Sequence, residues 1–256
     1  MIEEVKIKQM TLLMIVLSIM VFLPGCGDSG SSITPATPLV LPKIYLTDTF
    51  NGRIVRLDDM SGNFSYWTTR SGFFNPKGIY LDSAGKIYVA DTGNNRIVRM
   101  DDITGTNWTA FAPTGSNQFT SPAGIFVDRG GKIYVSDTGN NQIVLIDDMI
   151  GTNRLSLTGF SSPSGIFVDT AGNIYVSDTG NNQIVKIDTT STRTALTGFL
   201  TPSGIFVDSF GKIYVSDTGN NRIIRIDDMT GANWFALGSY GSGLNQFNHP
   251  SFAVFQ

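Results

Sequence analysis

Lys132–Val144 reads KIYVSDTGNNQIV. Nearly the same wording returns at Lys86–Val98 (KIYVADTGNNRIV), Asn173–Val185 (NIYVSDTGNNQIV) and Lys212–Ile224 (KIYVSDTGNNRII), with a looser copy, KIYLTDTFNGRIV, at Lys43–Val55. The aspartate of the motif stands at 48, 91, 137, 178 and 217, so the period runs 43, 46, 41 and 39 residues. A period of about 40 residues with strand-like content is the signature of an array or a propeller.

Working outward from the motif, each repeat contains four short strands separated by turn residues. Strand a is GIFVD, as at 165–169, beginning two residues after a proline (Pro76, Pro122, Pro163, Pro202). A glycine-bearing turn such as DTAGN or DSFGK leads into strand b, IYVSD. The DTGNN turn then opens strand c, as at 142–146. After an Asp-Asp pair and a second glycine-bearing turn comes strand d, clearest as NWTAF (107–111) and NWFAL (233–237). Strands b and c are apolar at both alternating positions, Ile143 and Leu145 on one side, Val144 and Ile146 on the other. Such strands need cover on both faces, which blades stacked about an axis supply and an open sandwich does not. A phenylalanine stands three residues before each strand-a proline (Phe73, Phe119, Phe160, Phe199, Phe247) and is expected to pack between blades.

The strand count predicts how the array ends. Strands b, c and d occur five times from Ile44 onward, whereas strand a occurs four times, and HPSFAVF (249–255) offers the fifth at the C-terminus. Pairing that segment with the first b-c-d set would remove two unpaired edges. The expectation is an all-β β-propeller of five four-stranded antiparallel blades, closed by N- and C-terminal strands.

Composition narrows the function. Charged residues make up 15% and the net charge is −3 without a basic block, which argues against nucleic acid as a partner. Both glutamates, Glu3 and Glu4, precede the array, and every aspartate but Asp28 falls at one of three repeated places. One set ends strand b. A second (Asp82, Asp128, Asp169, Asp208) ends strand a, and a third follows strand c, as at Asp101 and Asp102.

The N-terminus carries Lys6 and Lys8, then an apolar run from Thr11 to Leu23, too short to span a bilayer and suited to a signal-peptide core. It closes on Leu23-Pro24-Gly25-Cys26, which resembles the bacterial lipobox. That resemblance implies cleavage before Cys26 and lipidation of its thiol. It departs from the pattern at Pro24 and in the acidic Glu3 and Glu4. The expected organisation is a lipoprotein signal peptide at 1–25, a lipidated cysteine and flexible tether at 26–42, and the propeller at 43–256. The implied address is the bacterial cell envelope, on a membrane anchor. With Cys26 so used, no thiol is left for a disulfide, a metal or a nucleophile.

The stretch PSGIFVDTAGNIYVSDTGNNQIVKID (163–188) resembles the NHL repeat, and QFTSP (118–122) and QFNHP (246–250) resemble that family's blade-joining segment. The resemblance covers residues 43–256. It implies a β-propeller, commonly six-bladed, so six blades is the alternative to the five counted. The family's functions scatter over protein and RNA binding, sensor ectodomains and lyases, and the fold does not choose among them.

Three groups of side chains are candidates. The turn aspartates Asp48, Asp91, Asp137, Asp178 and Asp217 have oxygen chemistry that suits calcium, but recurrence in every blade favours a structural, turn-locking role and no metal. The position after DTGNN carries Arg53, Arg96, Gln142, Gln183 and Arg222. With Phe74 and Tyr240 of the d–a loops, it forms a candidate binding face where b–c turns and d–a loops emerge together. Bracing of neighbouring turns is the competing reading for those five side chains. Finally, His249 is the lone histidine and reads as a turn residue. A propeller of the lyase kind would use several histidines, and a lactonase-like one a glutamate among its metal ligands; the array has neither. The expected function is a non-enzymatic binding module for a protein, peptide or glycan, with no catalytic residue and no cofactor. A propeller-type lyase or hydrolase is the alternative.

Overall fold

The computed structural model describes residues 44–57, 66–68 and 72–251. The expected signal segment, Cys26, the expected tether and residues 252–256 of the expected closing strand lie outside the described residues.

Four sheets have four antiparallel strands each in the order a-b-c-d. The second blade comprises Ile79–Leu81, Ile87–Asp91, Arg96–Met100 and Thr109–Phe111. The third comprises Pro122–Val127, Ile133–Asp137, Gln142–Ile146 and Leu155–Leu157. In the fourth they are Pro163–Val168, Ile174–Asp178, Gln183–Ile187 and Arg193–Thr197. In the fifth they are Ile205–Val207, Ile213–Asp217, Arg222–Ile226 and Phe235–Leu237. Among the described residues the first blade shows b, c and d: Ile44–Asp48, Arg53–Leu57 and Tyr66–Thr68.

Strand d is shorter than its sequence suggests. Asn107 and Asn233, read as its first residues, adopt left-handed backbone with φ of 52° at each, so extended structure begins two residues later. Their amides reach back to Asp101 and Asp227 at 2.6 and 2.7 Å and close the c–d turn.

Period-2 alternation sends successive side chains of one strand into different cores. In the second blade, Ile87 and Val89 join a cluster with Ile54 of the first blade, while Tyr88 and Ala90 join one with Ile133 and Val135 of the third. Likewise Tyr134 packs with Ile174 and Val176 of the fourth, and Tyr175 with Ile213 and Val215 of the fifth. The hydrophobic core is therefore four cores, each between consecutive sheets, which is why strands b and c had to be apolar on both faces. Phe119 and Phe160 are buried members of these clusters.

The ends of the array differ from its middle. Strand b is buried throughout in blades two, three and four but only half-buried along Ile44–Asp48. Among the described residues, no strand pairs with the free edge of Ile44–Asp48, and the five sheets are not joined into a closed ring. The chain does reach the start of the expected closure. Thr218 Oγ1 donates to the Pro250 carbonyl at 2.8 Å, the bond that Thr138 makes to Pro163 at 2.7 Å and Thr179 to Pro202 at 2.7 Å. Pro250 thus sits against the fifth blade as a strand-a proline sits against the blade before it.

Candidate functional site

The site is built on the turn between strands b and c. Thr138–Asn140 forms one 3-10 turn, closed by the Asn141 N–H on the Thr138 carbonyl at 3.2 Å, with Asn141 at φ 56°. Asparagine tolerates that left-handed conformation. The same geometry holds at Asn95, Asn182 and Asn221, and Gly52 takes the place in the first blade.

The turn aspartate does not cap its own turn. Asp137 is wholly buried, and its Oδ1 accepts the backbone N–H of Thr120 at 2.7 Å, from the d–a loop that leads into the same blade. Asp91 does this for Phe74, Asp178 for Ser161 and Asp217 for Leu200, at 2.6–2.7 Å. The other oxygen of Asp137 accepts from Asn140 Nδ2 and Gln142 Nε2, both at 2.8 Å. Two more residues of the turn reach forward. Asn95, Asn141, Asn182 and Asn221 accept the N–H of Ser121, Ser162, Thr201 and His249, the residue before the next blade's proline, at 2.7–2.9 Å. The threonine donates to that proline's carbonyl, as described. The Asp, the Thr and the second Asn of DTGNN thus tie a blade to its incoming loop or to its successor, while the first Asn holds the aspartate of its own turn.

The side chains read as a binding face divide. Arg96 Nε and Arg222 Nε each lie 2.6 Å from Oδ2 of the buried Asp91 and Asp217, and Arg53 Nε holds Asp48 at 2.6 Å. Arg96 also donates through Nη2 to the Gly72 carbonyl, and Arg222 to that of Gly198 at 3.1 Å. Gln142 and Gln183 make the neutral version of the same bond, to Asp137 and Asp178. These five side chains brace the turns. Phe74 and Tyr240 carry no such duty and are 57% and 69% exposed, with Phe50, Leu200 and Leu244 also exposed on the same loops and turns.

Where glutamine replaces arginine, the cation has moved rather than vanished. Blades with Arg96 and Arg222 place Trp108 and Trp234 against Phe73 and Phe199, at ring separations of 4.9 Å each. Blades with Gln142 and Gln183 place Arg154 and Arg193 over Phe119 and Phe160 instead, at 5.4 and 4.7 Å. Burial pushes the Arg154 guanidinium below its ordinary range, and the charge of Asp137 opposes that shift. Sequence reasoning missed this exchange, because Arg154 comes within range of Asp137 only once strands b, c and d are paired.

The opposite face carries the a–b and c–d turns. Lys132 and Lys212 of the former approach Asp147 and Asp227 of the latter at 3.4 and 2.8 Å. Hydrogen bonds from Thr104 and Thr106 hold the Asp102 carboxyl down to about 2. Each strand-a aspartate caps its own turn, Asp128 Oδ1 accepting the N–H of Gly130 and of Lys132 at 2.9 Å. Its Oδ2 accepts the Tyr134 hydroxyl at 3.0 Å. At the matching place in the second blade, burial and then the Asp82 charge push the Tyr88 hydroxyl up to about 12.

His249 lies at φ 53° and donates its N–H to Asn221, with Nδ1 2.6 Å from Asn248 Oδ1. Among the described residues, no three His, Cys, Asp or Glu side chains are grouped to hold a metal ion. Among them, too, no helix is long and apolar enough to cross a membrane.

Consecutive four-stranded antiparallel sheets sharing cores face to face are the blades of a β-propeller. Comparison with known proteins agrees and goes one step further: residues 73–100, 119–144 and 160–187 each match the NHL repeat. The chain therefore carries three stretches matching the NHL repeat on a β-propeller fold. A streptogramin B lyase structure is similar at TM-score 0.62 and 17% identity, over 76% of this chain and 64% of that one. Virginiamycin B lyase from Staphylococcus aureus is similar at TM-score 0.59 and 18% identity, over 76% and 65%. A chain of the nidogen/laminin complex is similar at TM-score 0.65 and 24% identity, over 75% and 74%. At these identities the likeness is one of fold. The chain spans just under two thirds of the length of the two lyases. No curated protein sequence matches it.

Proposed function

We propose that this propeller is a lipid-anchored, non-enzymatic binding module of a bacterial cell envelope. Its partner is a protein, peptide or glycan, taken on the face of b–c turns and d–a loops. The observation that supports this most is the division of labour on that face. The polar turn residues are spent on one another, while Phe74 and Tyr240 stand exposed in loops of unequal length. Exposed aromatics on a rigid rim are the usual anchors of an interface. The acidic opposite face suits a solvated surface.

Phe74→Ala with Tyr240→Ala should reduce capture of a partner from an envelope extract about tenfold or more, at an unchanged melting temperature. Full capture by that variant, with loss on replacing Asp101 and Asp102 instead, would place the interface on the other face. Metal-dependent turnover in a lactonase or lyase screen, abolished by His249→Ala, would replace the binding reading with the enzymatic one. The anchor has its own test. Cys26→Ser, expressed in a bacterial host, should leave the membrane fraction after an alkaline wash; retention there would end the lipoprotein reading.

A further inference from the structure

The first blade breaks a rule that the other four keep. Gly93, Gly139, Gly180 and Gly219 lie in the b–c turn at negative φ, so backbone conformation does not demand glycine there. Space does. A Cβ on any of them would come 2.7–2.9 Å from the carbonyl oxygen of Phe74, Thr120, Ser161 or Leu200 in the d–a loop seated on the turn. Each glycine N–H donates to that same carbonyl at 2.7–2.9 Å. The fifth position of this kind is Phe50.

On the closure that the sequence predicts, the loop that would seat there is the chain's own Gln246–Pro250, and among the described residues it is engaged on one side only. It meets the fifth blade through His249 and Pro250. On the first-blade side, Phe50 is 96% exposed. Among the described residues, Asp48 accepts only from Asn51 and Arg53, lacking the loop N–H that its four counterparts receive. Its side chain is 28% exposed where those of Asp91 and Asp217 are wholly buried. Phe247 is half-buried, whereas Phe73, Phe119, Phe160 and Phe199 are buried.

We infer that Phe50 is a wedge: its Cβ keeps the Gln246–Pro250 loop from seating on the first blade and so holds the seam between first and last blades open. Asp48 and Arg53 form the vacant half of a latch whose other half is the Asn248 N–H and carbonyl. The seam is thereby a built-in point of opening in an otherwise uniform array.

Because the obstruction lies at Cβ, alanine and glycine must behave differently at this position. In the full chain, Phe50→Ala keeps the wedge, whereas Phe50→Gly removes it. Glycine is ordinarily the less stable of the two. Here Phe50→Gly should melt about 2–4 °C above Phe50→Ala. Amide exchange at Asn248 should slow about tenfold in the glycine variant alone, as expected for an N–H newly held by a carboxylate. Adding Asp48→Asn to Phe50→Gly should return exchange towards that of the parent. If Phe50→Gly melts at or below Phe50→Ala with Asn248 exchange unchanged, the wedge does not exist. If both variants slow exchange equally, the phenyl ring rather than Cβ is responsible and the inference as stated falls.

Discussion

Asp137→Ala should lower the melting temperature by roughly 10 °C, the shift that about 3–5 kcal/mol produces in a domain of this size. The magnitude follows from what one carboxylate holds. Its two oxygens, themselves buried from water, accept from the Thr120 backbone, from Asn140 and from Gln142. Truncation leaves three donors facing a cavity and the partly buried Arg154 without its counter-charge. Asp137→Asn separates the contributions. It retains bulk and one acceptor but loses the charge and presents an NH2 to at least one donor, so it should recover less than half of the loss. A chelator should leave the melt of the parent protein unchanged, since the oxygens a cation would need are already occupied by N–H groups. A drop of several degrees on adding chelator would mean that the turns bind metal after all. Asp137→Ala melting within 2 °C or so of the parent would show that the network is ornamental.

How much of this could be read in advance depended on the range of each interaction. The strands and their order within a blade were legible, because alternation and turn residues are local signals. The four inter-sheet cores followed from Ile143 and Val144 both being apolar. The partner of the turn aspartate was not legible. An aspartate followed by Thr-Gly-Asn invites a local cap, yet the N–H it accepts lies 17 residues upstream. Nor was the seating of Thr138 on Pro163, 25 residues on, since a threonine in a turn has many possible partners. For the arginines, sequence leaves anchoring and bracing level. The ion pairs with Asp91 and Asp217 support bracing: stripping Arg96 or Arg222 leaves the charge of a buried carboxylate without its partner. Phe50 was visible as a departure from DTGNN, but its consequence required knowing what lies above the glycine.

Arg96→Gln should cost about 1–3 kcal/mol, and Trp108→Arg on the same chain should restore part of it. The upper bound is set by the buried Asp91, and the lower by the quarter-exposed Arg96 side chain, whose charge water partly screens. Glutamine can still donate to Asp91 Oδ2, as Gln142 does to Asp137, so the loss is of charge and not of a hydrogen bond. The third blade shows where a replacement cation can stand: Arg154, over the Phe119 ring and within reach of the field of Asp137. Position 108 is the corresponding place above Phe73. Trp108→Arg alone should be destabilising, since it gives up the ring contact and crowds a second cation beside Arg96, 5.9 Å from the present indole. The double variant should therefore be more stable than the two single losses sum to, by about 1 kcal/mol or more. Additivity within about 0.5 kcal/mol would mean that the two arginine positions do not serve the same carboxylate. The sign of the coupling carries the argument. A propeller that merely tolerates arginine at either place predicts none, whereas one that keeps a cation near each buried aspartate, by whichever strand is convenient, predicts rescue.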